Sequence, residues 1–435
     1  MKTGPLAVGG RCGALTSANE NDVDVMGARD DAVGGMQVRF RVMTTTTVLA
    51  TVGAIALAGC GSSSSGGSTG GGLGGGGSSS KSYDIGFEGP LSGANAQLGI
   101  NEEYGAQLAV QEWNAGNNGF TVNLKTADDV GDPKKAPAAA TSLIQDSNLL
   151  GEIGPSFSGA TEAACPKYSA AGVAMITPSA TNATLQTLGC STFFRIVPND
   201  NVEGSQAADW LARKGVKHLY VLQDLSAYGK GVGDTVAKEA KAKGITVTEK
   251  GADGTTTTNY GPIAQNIKAS GADALFYGGY DAQAALLAKA LKSANYTGLT
   301  VGGNGIKSSV FTKDSGSAGD GWYITCGCLD ATVAPQAKDF ASAYQTKFKT
   351  PSSTYSPEAY DATNMLLQAI KTASASGTPT LSSVLDAVKN TDYKGITTEI
   401  KFQSNGDLDA AVQTVNLYDV EKGAIVQIGN IQDQS

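Results

Sequence analysis

From residue 83 onward, short apolar runs alternate with longer stretches in which apolar positions recur every three or four residues. Residues 83–87 (YDIGF) read as a strand, the turn 88–93 follows, and Ala106, Leu108, Ala109 and Trp113 mark a helix. Residues 120–125 (FTVNLK) alternate apolar and polar, as a half-buried strand does. Asp132-Pro133 opens a helix that ends near Asp146, with Pro early, where its missing N–H is tolerated. A strand before Gly154, a helix to Ala171, a strand at 173–176 and the run 193–198 (FFRIVP) complete a first series. A second series reads helix 202–214, strand 218–223, helix 231–243, strand 245–250, helix 262–269, strand 274–277, helix 282–294 and strand 300–301. After a strand at 322–325 come helices 335–349, 357–372 and 381–389, then strands 399–402 and 412–418. Strand–helix–strand units at this spacing predict an α/β fold with parallel sheets. Two such series with a returning C-terminal portion predict two lobes joined by more than one crossover.

Two polar turns stand out against this pattern. Pro155-Ser156-Phe157-Ser158-Gly159 lies between a strand and a helix that opens at Ala160, and Pro178-Ser179-Ala180-Thr181-Asn182 directly follows an apolar run. In an alternating β/α chain both sit at the carboxyl ends of neighbouring parallel strands, where open α/β sheets bind ligands. Free N–H groups at a helix N-terminus attract a negative group, and Ser and Thr hydroxyls add donors. The turns therefore suit the carboxylate of a small organic ligand. They equally suit ordinary strand-to-helix connections with Ser and Thr as N-caps.

The first eighty residues follow another rule. Residues 1–35 are polar and carry no hydrophobic period, so Met36 is the expected start and 1–35 an upstream misreading. Within 36–60, Arg39 and Arg41 form a basic region, residues 48–58 (VLATVGAIALA) form an apolar run too short for a standard membrane span, and Leu57-Ala58-Gly59-Cys60 follows. This ending resembles a bacterial lipobox, in which the Cys60 thiol receives a diacylglycerol. The expected product is an exported protein held at the cell envelope by its lipid anchor. Residues 61–80 are Gly and Ser except Thr69 and Leu73, a flexible tether with a span of roughly 25 Å.

Composition narrows the chemistry. Lys and Arg total 32 against 40 Asp and Glu, a net charge of −8, which argues against nucleic acid as a partner. His218 is the only histidine, so a Ser–His relay or a His–His metal pair has little to work with. Residues 154–159 have the spacing of a phosphate loop, but Ala160 and Thr161 stand where Lys and Ser/Thr are needed. The same turn lacks the final Gly of a nucleophile elbow. No catalytic residue, metal site or cofactor is expected. Cys165 and Cys190 flank the second turn and, in an exported protein, are expected to pair. Cys326-Gly327-Cys328 admits a strained disulfide, two free thiols or half of a metal site.

An ordered set of fragments carries a resemblance: IGFEGPLSGANAQLG, DDVGDPKKA, IGPSFSGAT, MITPSATN, FFRIVP, SAYGKG, FYGGYDAQ and KGITTEIKFQSNGD, spread over residues 83–428. Together they resemble the solute-binding subunits of ABC importers for branched-chain amino acids, the leucine/isoleucine/valine-binding type. That resemblance implies a type I periplasmic-binding fold: two Rossmann-like lobes, about 83–198 with 327–411 and 199–326 with 412–435, hinged by three crossovers. It implies that Ser158 and Thr181 bind the ligand's α-carboxylate, that Ser179 and Ala180 contact it through backbone, and that Ser156 and Phe157 line the same wall. It implies that Tyr228 and Tyr280 cover the ligand from the second lobe, although both could also be plain core aromatics. Two positions depart from the family pattern. Leu98 stands where some members have Tyr, and Asn304 stands where amino-acid binders carry an acid for the ligand's ammonium. Asp281 is the neighbouring acid that could replace it. The implied function is capture of a small carboxylate-bearing solute, an amino acid first, for ABC permease subunits, with the protein a monomer and closure as the only mechanism. The alternatives are a non-amino organic or aromatic acid, an amide, or a ligand sensor of the same fold.

Overall fold

The computed structural model describes residues 81–435. Cys60, expected to be the lipobox cysteine, the segment before it and the Gly/Ser tract lie outside the described residues. Among the described residues, no helix is long and apolar enough to cross a membrane.

The chain begins with β1 (Lys81–Gly89), α1 (Ala96–Ala115), β2 (Phe120–Asp128), α2 (Ala136–Ile144), β3 (Leu149–Ile153), α3 (Ser158–Ala171), β4 (Met175–Thr177) and β5 (Phe193–Arg195). Their strands form one parallel sheet in the order β2-β1-β3-β4-β5. Helices cover both faces of such a sheet, so β3 (LLGEI) is buried along its whole length.

A second run follows: α4 (Asp200–Arg213), β6 (His218–Gln223), α5 (Ala227–Ala242), β7 (Thr246–Gly251), α6 (Gly261–Ala269), β8 (Ala274–Gly278), α7 (Asp281–Ser293), β9 (Leu299–Gly302), α8 (Ser309–Ser315) and β10 (Trp322–Cys326). Next, α9 (Lys338–Phe348), α10 (Ser356–Ser374) and α11 (Leu381–Lys389) return to the first sheet, where α10 packs on α1 and both α10 and α11 meet β3. A small pair, β11 (Tyr393–Lys394) and β12 (Glu399–Ile400), precedes β13 (Asn416–Glu421) and β14 (Ala424–Asn430). The second sheet runs β14-β13-β10-β9-β8-β6-β7.

Three expectations are corrected. The second sheet is mixed, because β13 runs antiparallel to both β10 and β14. A short hairpin through Lys422-Gly423 suffices for that pairing, whereas a parallel pair needs a crossover. Helix α1 starts ten residues before Ala106. Its glycines hid it: Gly99 and Gly105 weaken the helical signal, yet a Cβ at either would strike the Pro90 or Ser356 carbonyl oxygen, so close packing requires them. Finally, the helix expected at 335–349 opens with a 3-10 turn over Pro335–Ala337 and becomes α-helical at Lys338.

Candidate functional site

The strand order reverses direction at β1, which lies between β2 and β3, and at β6, which lies between β7 and β8. Ligands of open α/β sheets bind beyond the carboxyl ends of strands at such switch points. Here the two sets of carboxyl ends face each other across one narrow cavity. From the first sheet's side it is lined by Leu98 and Glu102 of α1, Ser156, Phe157 and Ser158 after β3, Ser179 after β4, and Tyr355 before α10. From the second sheet's side come Tyr228 in the first turn of α5, Tyr280 after β8, and Asn304 and Gly305 after β9.

The turn after β3 is held from within. Ser156 Oγ donates to Glu102 Oε2 (2.7 Å), and Ser179 Oγ donates to the Ser156 carbonyl (2.7 Å). Ser158 opens α3, which no side chain caps, and its Oγ accepts from the Asn182 N–H at 3.2 Å. The Ser158 hydroxyl proton and the first N–H groups of α3 therefore form the anion-attracting end of the cavity. Phe157 stacks on Tyr280 with centroids 4.3 Å apart, and Tyr280 meets Tyr228 at 5.3 Å. Tyr228 Oη accepts from the Gly305 N–H (3.0 Å), which fixes that ring against the β9 turn.

Two expected ligand contacts are not among the lining residues. The Ala180 N–H is spent on Thr177 Oγ1 (3.0 Å), and the Ser179 N–H leans on the same oxygen at 3.4 Å. The Thr181 carbonyl accepts from the Asp200 N–H, and its buried hydroxyl, beside the Asp200 carboxyl, has no well-formed hydrogen bond among the described residues. Asp281 does not line the cavity either: its Oδ1 accepts from Asn95 Nδ2 (2.6 Å) and from the Ala282 N–H (2.9 Å). His218 starts β6 and shares a hydrogen bond with Thr248 Oγ1 (2.9 Å), far from any reacting group.

The cavity also gathers residues that sequence reasoning passed over. Burial pushes the Glu102 carboxyl up to about 8, against the Ser156 and Ser179 hydroxyls that pull it down. Among the described residues its Oε1 has no hydrogen-bond partner, and neither has Tyr355 Oη. Behind Asn304 stands Glu203 of α4, fully buried. Its Oε1 accepts from the Asn304 N–H (3.0 Å) and Thr325 Oγ1 (2.7 Å), and its Oε2 accepts from Asn304 Nδ2 (2.6 Å). Burial pushes Glu203 up to about 7, while those donors favour the ionised form. Glu102 was hidden by the missed start of α1, and Glu203 by lying on a helix that does not itself reach the ligand space.

The cysteines meet in pairs. Cys165 of α3 and Cys190, ahead of β5, have Cα atoms 6.1 Å apart, and those of Cys326 and Cys328 are 5.1 Å apart; both separations suit a disulfide.

A family model described as periplasmic binding protein matches residues 82–424. The Leu/Ile/Val-binding protein BraC3 of Rhizobium johnstonii is 30% identical over 348 residues, spanning 79% of this chain and 92% of that protein. The branched-chain amino acid transporter substrate binding protein LivJ of Streptococcus pneumoniae, solved with isoleucine, aligns over 80% of this chain and all of its own with a TM-score of 0.73 at 25% identity. A solute binding protein of R. palustris solved with benzoate gives the same TM-score at 20% identity, over 80% of this chain and 96% of its own. Extended over nearly the whole described length, these matches show that the chain belongs to the periplasmic binding protein family and has its type I fold.

Proposed function

We propose that this chain is the solute-binding component of an ABC importer, that its ligand is a small amino acid of the branched-chain type, and that closure of two lobes is its mechanism. The observation that carries this reading is the cavity between the carboxyl ends of the two sheets, with the uncapped start of α3 and Ser158 at one end and Asn304 opposite. The first lobe is the first sheet with α9, α10 and α11; the second is the second sheet. The chain crosses between them near Pro198, Gly327 and Thr414, which line one small cavity of their own and form the hinge. Ser158 and the α3 N–H groups take the ligand carboxylate. Ser156, Phe157, Ser179, Tyr228, Tyr280 and Leu98 enclose the rest. A ligand that touches both lobes favours the closed state by the difference in its affinity for the two states. No covalent step enters this mechanism. Export, acylation at Cys60 and the Cys165–Cys190 disulfide belong to the same reading.

The aromatic wall of Phe157, Tyr280 and Tyr228 favours one second reading, an aromatic carboxylate. One experiment tests both. Thermal unfolding of the mature protein should rise with leucine, isoleucine or valine at millimolar concentration, and a ligand at 100 times its Kd adds about 2.7 kcal/mol to stability. A shift with benzoate and none with any amino acid would replace the first reading by the second. Recovery of chemically altered ligand would overturn both.

A further inference from the structure

We propose that Glu203 is a positioning residue that makes Asn304 the receptor for the ligand's ammonium group, by turning the amide oxygen toward the cavity and supplying a negative charge behind it. This rests on the amino-acid reading above, in which the resemblance already puts the ammonium at position 304, and says how an amide there is made to serve.

An Asn side chain has a donor end and an acceptor end, and its neighbours decide which one faces a ligand. A carboxylate only accepts. Glu203 takes both the Asn304 backbone N–H and its Nδ2–H, so the donor end is committed away from the ligand space. Asn304 Oδ1 has no hydrogen-bond partner among the described residues, while Asn304 itself lines the cavity. The remaining face of the site is thus an acceptor. Thr325 Oγ1 holds the other side of Glu203 Oε1, so the carboxylate cannot swing away without losing a third donor.

A neutral amide alone accepts from an ammonium without neutralising it, and an uncompensated charge in a closed site is costly. Glu203 is one side chain further back, wholly buried, where charge acts with little screening. The other acids nearby do not stand behind the Asn304 amide. Asp281 is held through Oδ1 by Asn95, and Asp200, whose two oxygens have no hydrogen-bond partner among the described residues, lies outside the lining. Glu102 is in the cavity, but on the first sheet's side with Ser156, across from Asn304. The acid for the ammonium is present, then, one layer behind position 304.

The test compares leucine with 4-methylpentanoate, which is leucine with hydrogen in place of the ammonium. Calorimetric Kd values are measured for both on the wild type, Glu203→Gln, Glu102→Gln and the double variant Glu203→Gln/Asn304→Asp. Gln keeps the volume of Glu203 but can donate to Asn304 and release the amide to flip. The wild type should prefer leucine. Glu203→Gln should cut that preference roughly tenfold or more, as expected for a charge-assisted contact. Most of the loss should fall on leucine, and the double variant, which moves the acid forward to position 304, should restore the preference. Equal weakening of both ligands in Glu203→Gln would make Glu203 merely structural and overturn the proposal. So would an unchanged preference, or one lost in Glu102→Gln instead. A wild type that binds neither ligand would overturn the amino-acid reading itself, and a wild type that binds only 4-methylpentanoate would do the same.

Discussion

Arg195 shows how a single buried residue holds the ligand turn in place. It is fully buried, and it donates to the Ala180 and Asn182 carbonyls (3.1 and 2.8 Å) and, through Nε and NH2, to Asp407 Oδ1 (3.0 and 2.5 Å). Burial pulls its guanidinium below the ordinary range, with Asp407 opposing. Arg195→Ala leaves the Asp407 carboxylate without its ion-pair partner, the Ala180 carbonyl unpaired and the Asn182 carbonyl with only the Leu185 N–H. We expect it to cost about 3–5 kcal/mol in urea denaturation, the usual price of breaking a buried pair from one side. A loss under about 1 kcal/mol would mean that water replaces the guanidinium without strain. At this scale the sequence was partly legible. Leu98, Ser156, Phe157, Ser158, Ser179, Tyr228, Tyr280 and Asn304 all line the cavity; the serine-rich turns at strand ends announce themselves by composition, whereas Leu98, Tyr228, Tyr280 and Asn304 were pointed to by the family resemblance alone. Ala180 and Thr181 are not among the lining residues; the Ala180 N–H is taken by Thr177 Oγ1 three residues back, and the Thr181 carbonyl by the Asp200 N–H. Arg195 itself was visible only as one letter in an apolar run; its partners lie 13, 15 and 212 residues away.

Among the elements, α3 is placed by its start and its middle. Its start faces the cavity, and Cys165 in its middle meets Cys190 in the loop that leads to β5. A bridge there would close a loop of 25 residues around the turn that carries Ser179. Non-reducing peptide mapping of the exported protein should recover the joined peptide. The Cys165→Ser/Cys190→Ser variant should lose on the order of 3 kcal/mol by the chain-entropy model. Two alkylated free thiols at these positions would sink the idea. Strands and helices with a clean period were read within a few residues: β6 and α11 coincide with the expected 218–223 and 381–389. The weak points were α1, whose glycines serve packing rather than propensity, and β14, an edge strand whose alternate residues face solvent.

Across the whole molecule, the first sheet carries a layer of acids under the cavity. Glu88 is pushed up to about 8 by burial, with the Tyr168 hydroxyl (2.5 Å) pulling the other way. Glu102 is likewise near 8, and burial then the charge of Glu88 hold Glu152, whose two oxygens lack partners, well above the usual range. The folded protein therefore keeps protons that the unfolded chain releases between about pH 4.5 and pH 8. Stability is fullest below that window and declines as pH rises through it. We expect the unliganded melting temperature to fall from pH 5 to pH 8, and Glu88→Gln/Glu152→Gln to flatten the fall. A melting temperature that climbs over this range would contradict the buried-acid account.

Two contacts outside the cavity lining join the two sheets' sides. Asn182 Nδ2 donates to the Ala227 carbonyl (2.6 Å), and Asn95 Nδ2 donates to Asp281 Oδ1 (2.6 Å). Each of these contacts must break before the halves part, whatever the cavity holds. On the proposed closure mechanism they act as a clock: they set how long a bound solute dwells before escape or hand-off, and they slow the entry of the next one. Affinity is then left to the residues that line the cavity, while turnover is written into contacts outside it.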